Sequence, residues 1–171
     1  GRGVTVNGVT HPSTDAERAA ALTRATAIVA SYLRANPRVT TAPPTAQIAS
    51  MGHRTQVLAC LAEATVSPPA WLVNAARAHA AYVAAHWKGA WNQGLEQDLG
   101  ALAVGCIVGP RTIATAAATR MDYALTRSVL PDGASNEQAP GYAGYSYRQW
   151  TIAAAQLDRV ARVHLDRHGL E

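Results

Sequence analysis

The chain has 171 residues, 49% of them hydrophobic and only 15% charged, which excludes an intrinsically disordered chain and fits one closely packed domain. Its formal net charge is +4 and its sequence pI about 9.4, so polyanions are attracted, but no dense basic run marks a nucleic-acid arm. Fifteen cationic residues include a single lysine, Lys88; the rest are arginines, which suit bidentate recognition of carboxylate or sulfate.

Gly3 to His11 alternates about Asn7-Gly8, a hairpin-turn signal. A first helix follows, capped by Ser13 or Thr14, with Glu17 in its first turn and Pro37 beyond its end. After the proline-rich "TTAPPTAQ", a second helix is expected over about 50–65 and a third over about 69–87, entered at "SPP". "KGAWNQG" interrupts, with Asn92 placed to cap a fourth helix over about 93–108. Gly109-Pro110 ends it and starts a fifth, to about Leu130. A polar connection, "PDGASNEQAPGYAGYS", leads into a sixth helix over about 146–168, with turns expected at Asp132-Gly133 and Pro140-Gly141. The fold class is therefore all-α, six helices read as three consecutive antiparallel hairpins in a single domain over 1–171. No repeat of fixed period supports a regular solenoid.

Alanine dominates the apolar residues and phenylalanine is absent, so the core is expected to be thin and the helices to lean on further chain or on another copy. Cys60 and Cys106 lie in apolar stretches and are expected to be buried thiols. Neither has partners at metal-ligand spacing, so no metal and no cofactor are expected. No stretch is long and apolar enough for a membrane span or a signal peptide, and the opening "GRG" reads as a cut end.

Two connections concentrate polar chemistry. In "HWKGAWNQGLEQD", Trp87 and Trp91 flank Asn92, Gln93, Glu96 and Gln97. Asparagine there reads first as a helix cap, and tryptophan as core or as a platform for a sugar ring. In the later connection Glu137, Tyr142, Tyr145 and Arg148 stand close together in a loop longer than most structural links. Glu137 reads equally as an anchor for loop backbone. His53-Arg54, expected at the start of the second helix, is a candidate anion contact.

These two segments resemble heparinase II/III-like polysaccharide lyases, including alginate and oligoalginate lyases. "TRSVLPDGASNEQAPGY" is similar to that family's helix-then-loop segment, often "DGxxxEQSPxYH", in the order Asp132, Gly133, Glu137, Gln138, Pro140, Tyr142. "WNQGLEQDLGALAVG" is similar to the upstream "NHGLxQxxALxxxG". The resemblance spans about 88–150 and is weak elsewhere. It implies part of an incomplete α/α toroid, with the family's β-sandwich domains absent from this chain. It also implies β-elimination on a uronic-acid-containing glycan, with an acidic polysaccharide or oligosaccharide as partner and neither nucleic acid nor membrane. A secreted or periplasmic location goes with such a substrate.

By that resemblance Asn92 neutralises the uronate carboxylate and Tyr142 is the general acid. Trp91, Gln93, His53, Arg54, Glu137, Tyr145 and Arg148 are the expected substrate contacts. The chain departs from the family at Gln93 and Ala143, where histidines are usual, and this leaves the base unassigned. The alternative is a non-catalytic α/α module that binds acidic glycan or packs against another chain.

Overall fold

The computed structural model describes residues 4–6, 9–11, 13–36, 39, 45–128 and 140–163, with side chains at 13–36, 39, 50–127, 144–145 and 147–158. Among these residues the fold is all-α: six helices, preceded by one short antiparallel ribbon. The chain forms two compact units, 1–38 and 39–171.

The first unit holds β1 (Val4–Val6), β2 (Val9–His11) and α1 (Asp15–Ala35). Val6 pairs with Val9, the register expected around Asn7 and Gly8, which themselves lie outside the described residues. Thr14 caps α1 in a reciprocal box: its hydroxyl accepts from the Glu17 N–H at 3.2 Å, and Glu17 Oε2 accepts from the Thr14 N–H at 2.7 Å. Those hydrogen bonds from Thr14 pull the Glu17 carboxyl below its ordinary pKa.

The second unit is built from α2 (Thr45–Ala64), α3 (Ala70–Ala85), α4 (Asn92–Ile107), α5 (Arg111–Ser128) and α6 (Pro140–Val163). Short links join α3 to α4 and α4 to α5, and each of these pairs packs together; α3–α4 is one of the expected hairpins, and α4–α5 is a further neighbouring pair. The centre of the unit is α4, buried continuously from Gly94 to Leu102 and packed on α2, α3, α5 and α6. Leu95, Leu99 and Leu102 of α4 meet Met51, Val83 and Met121 from three other helices. Most of the remaining core is alanine, which lets the axes come close and contributes little buried area.

Glycine sets two of the closest approaches. Gly52 of α2 lies against the α4 backbone, where an added Cβ would sit 2.7 Å from the Glu96 carbonyl oxygen. Gly105 of α4 does the same against Ala114 of α5, with 2.4 Å to its nitrogen. Arginines finish the helix ends. Arg77 Nε donates to the Val108 carbonyl at 2.7 Å, and Arg120 Nη1 to the Ala84 carbonyl at 3.0 Å.

Three expectations need correction. The sixth helix starts at Pro140, so Pro140-Gly141 is its first turn and not a loop turn. Proline suits the first helical position, where its missing N–H costs nothing. The second helix begins at Thr45, which puts His53 in its interior. Cys60 is exposed and Cys106 half-buried, and the two are not joined in a disulfide. Leu58, Ala59, Leu61 and Ala62 turn inward around Cys60, which takes the outer position on the same helix.

Candidate active site

The link between α3 and α4 ends at Trp91 and leads into Asn92, the first residue of α4. Gly89 holds a left-handed backbone (φ 84°) that glycine adopts without strain. Its carbonyl lies so close to α4 that a Cβ on Gly94 would come within 1.9 Å of the oxygen. Gln97, fully buried, bridges the link: its Oε1 accepts from the Lys88 N–H at 2.9 Å and its Nε2 donates to the His86 carbonyl at 3.1 Å. One side-chain amide thereby satisfies a donor and an acceptor that the turn leaves open.

The extended residue before α4 is Trp91, so Asn92 is the first helical residue and not the cap expected from its type. Trp91 is 49% exposed, while Asn92 and Gln93 are half-buried.

One turn further along α4, Glu96 is 5% exposed and joins three helices. From α2, Gln56 Nε2 donates to Glu96 Oε2 at 2.8 Å and to the Glu96 carbonyl at 3.2 Å. From α6, the Tyr145 hydroxyl donates to Oε1 at 3.2 Å. His53 of α2 sets Nδ1 3.2 Å from Oε2, with 59% of its side chain exposed. A carboxylate is expensive to bury without donors, and here a glutamine, a tyrosine and a histidine supply them.

The other expected contacts divide. Tyr145 is 42% exposed and Arg148 is exposed, so both lie at the surface along with Trp91. Arg54, half-buried, donates to Met51 Sδ at 3.5 Å. It also lies near His79, whose pKa is held down by burial first and by the Arg54 charge to a lesser degree. Tyr142 is the third residue of α6; its side chain lies outside the described residues, as does the whole of Glu137. Tyr142 lies one turn before Tyr145 in α6, and Asn92 one turn before Glu96 in α4, so the Tyr145–Glu96 bond ties together the N-terminal parts of the two helices that carry them.

Glu96, Gln56 and Gln97 were not among the expected site residues. The signal was three consecutive polar residues, Glu96-Gln97-Asp98, inside a helix that is otherwise apolar. A helix buried on all sides must give each of them a partner from a crossing element.

Asp98 is the third of these, only 1% exposed. Its Oδ2 and the Trp87 indole N–H are both sealed from water without a hydrogen bond of normal geometry. Burial pushes the Asp98 pKa up to about 7, against smaller opposing effects of Arg120 and Trp87. Arg120 stacks 5.3 Å from the centre of the Trp87 ring, which also meets Tyr123 edge-on.

Among the described residues no cluster of histidine, cysteine and carboxylate side chains fits a metal ion, and no helix is long and apolar enough to cross a membrane. Comparison with protein-family models, curated proteins and solved structures found no match.

Proposed function

We propose that this chain is the helical portion of a polysaccharide lyase that cleaves a uronic-acid-containing glycan by β-elimination. The observation that supports the reading is the Tyr145–Glu96 hydrogen bond, which ties α6 to α4, the two helices that carry the motif residues Tyr142 and Asn92. Trp91 just before α4, and Tyr145 and Arg148 on α6, are exposed. An acidic glycan arriving there finds aromatic faces for its rings and a basic chain for its carboxylates.

The chemistry follows from the substrate. The proton to be removed sits on the carbon beside a carboxylate, and its loss builds negative charge on a group already charged. The Asn92 amide donates to that carboxylate and spreads the charge, as an oxyanion hole does. Gln93 adds a second amide donor that does not titrate. Tyr142 gives its phenolic proton to the glycosidic oxygen as that bond breaks. A secreted or periplasmic location goes with this substrate.

The full-length protein is to be assayed on alginate, heparan sulfate, hyaluronan and related polymers by the ultraviolet absorbance of the unsaturated uronate formed. Tyr142→Phe is expected to abolish turnover with binding nearly intact. Asn92→Ala is expected to lose about 10²–10³ in kcat, the range for removing one oxyanion donor. A fully active Tyr142→Phe enzyme refutes the acid. Tight glycan binding by wild type without any unsaturated product favours the non-catalytic module.

A further inference from the structure

We infer that His53 is the base that removes the uronate proton in this reaction, and that Glu96 is the positioning residue that holds it ready. The inference rests on the lyase reading and supplies the group that the two sequence motifs leave unassigned.

The pairing is specific. His53 Nδ1 lies 3.2 Å from Glu96 Oε2, and Glu96 is nearly closed off from water while most of the histidine is open to it. An ionised carboxylate only accepts hydrogen bonds, so the proton of the neutral imidazole sits on Nδ1. Nε2, on the far side of the ring, then keeps its lone pair on the exposed side. Gln56 and Tyr145 hold the carboxylate from two helices, so Glu96 has little freedom to turn away. A ring oriented through one nitrogen by a buried carboxylate, with the other nitrogen free to react, is the arrangement a histidine base needs.

The other histidines with described side chains are committed elsewhere. His79 is buried, with Nδ1 2.8 Å from the Ala75 carbonyl. His86 has Nδ1 2.9 Å from the Tyr82 carbonyl and stacks on the Tyr82 ring at 4.1 Å. Neither meets a carboxylate in these contacts.

The step balances. His53 Nε2 takes the proton from the carbon next to the carboxylate. The electron pair of that C–H bond becomes the new carbon–carbon double bond. The bond from the neighbouring carbon to the glycosidic oxygen breaks, and the leaving oxygen takes the Tyr142 proton. One proton has entered the site and one has left it; transfer from imidazolium to phenolate through solvent resets both groups. No water, oxidant or metal is consumed.

The groups facing His53 are Glu96 from α4 and, through it, Tyr145 from α6; Arg54 follows it on α2.

The test is kinetics on the full-length enzyme with the polymer it turns over. His53→Ala is expected to cost about 10²–10⁴ in kcat with little change in KM, and to remove the acid limb of the pH–rate profile. Added imidazole is expected to restore part of the rate. Glu96→Gln is expected to lower kcat with KM nearly unchanged and with circular dichroism and Tm kept, a split that a purely structural role would not give. His53 is exposed, so unchanged circular dichroism and Tm of His53→Ala will show that the loss is chemical. Wild type that eliminates normally while His53→Ala keeps both rate and acid limb refutes the base and leaves the lyase reading standing. Wild type without elimination on any uronate polymer refutes both.

Discussion

Gly52→Ala is expected to destabilise the helical unit by about 2–3 kcal/mol, even though alanine is the better helix former by about 1 kcal/mol. The added methyl would lie 2.7 Å from the Glu96 carbonyl oxygen, 2.8 Å from its carbon and 3.0 Å from the Gln97 nitrogen. All three are backbone atoms of the most buried helix, so neither partner relieves the clash by turning a side chain. The helices must part. The Tm should fall by roughly 10 °C in thermal unfolding followed by circular dichroism. The separation acts on the site as well, because Gln56 and His53 reach Glu96 across this same crossing. Gly144→Ala is the matched control. It lies in α6 with nothing within 4 Å of its added Cβ, so helix propensity alone should raise stability by up to about 1 kcal/mol. Equal effects at the two positions would show that the α2–α4 approach is looser than these distances imply.

That crossing also separates what sequence could reveal from what it could not. Helices signed by their own residues were readable. The Thr14–Glu17 box starts α1, and Gly109-Pro110 divides α4 from α5. Errors arose where one residue type serves two structures. Pro140 opens a helix as readily as it makes a turn, and Asn92 caps a helix as readily as it begins one. The role of Glu96 was hidden for another reason. Its partners come from 40 residues before it and 49 after it, and only the packing of α2 and α6 on α4 brings them together. Gln97 looked like a second polar residue of the same turn, yet it serves the link and not the site. Local pattern marks which residues are polar in an apolar helix; the crossing elements decide which become structural ties and which become chemistry.

The chain is expected to lose stability as pH rises from about 4 to about 7, and Asp98 is the cause. Burial raises its folded-state pKa to about 7, above the ordinary carboxylate value near 4 that it regains on unfolding. The folded chain therefore keeps a proton that the unfolded chain releases. The stability linked to that proton is fully present below the unfolded pKa and is lost as pH rises through about 7, at up to about 1.4 kcal/mol per pH unit. His79 works in the opposite direction at lower pH. Burial depresses its pKa, so the neutral ring stabilises the fold above the ordinary histidine value and that contribution is lost as pH falls. Just below the ordinary histidine value near 6.5 the two slopes oppose each other, and between about 6.5 and 7 only the loss from Asp98 remains. Asp98→Asn mimics the protonated acid in shape and charge. It should flatten the fall in stability between about pH 4 and 7 and leave the variant more stable than wild type at pH 8 by about 1–3 kcal/mol. Urea unfolding at several pH values measures this directly. Parallel profiles for wild type and Asp98→Asn would show that Asp98 stays ionised in the folded chain and draws more from Arg120 than its buried position indicates. Trp87→Phe gives an independent check. It removes the indole N–H that favours the carboxylate, so Asp98 should hold its proton to still higher pH and the fall in stability should continue beyond pH 7.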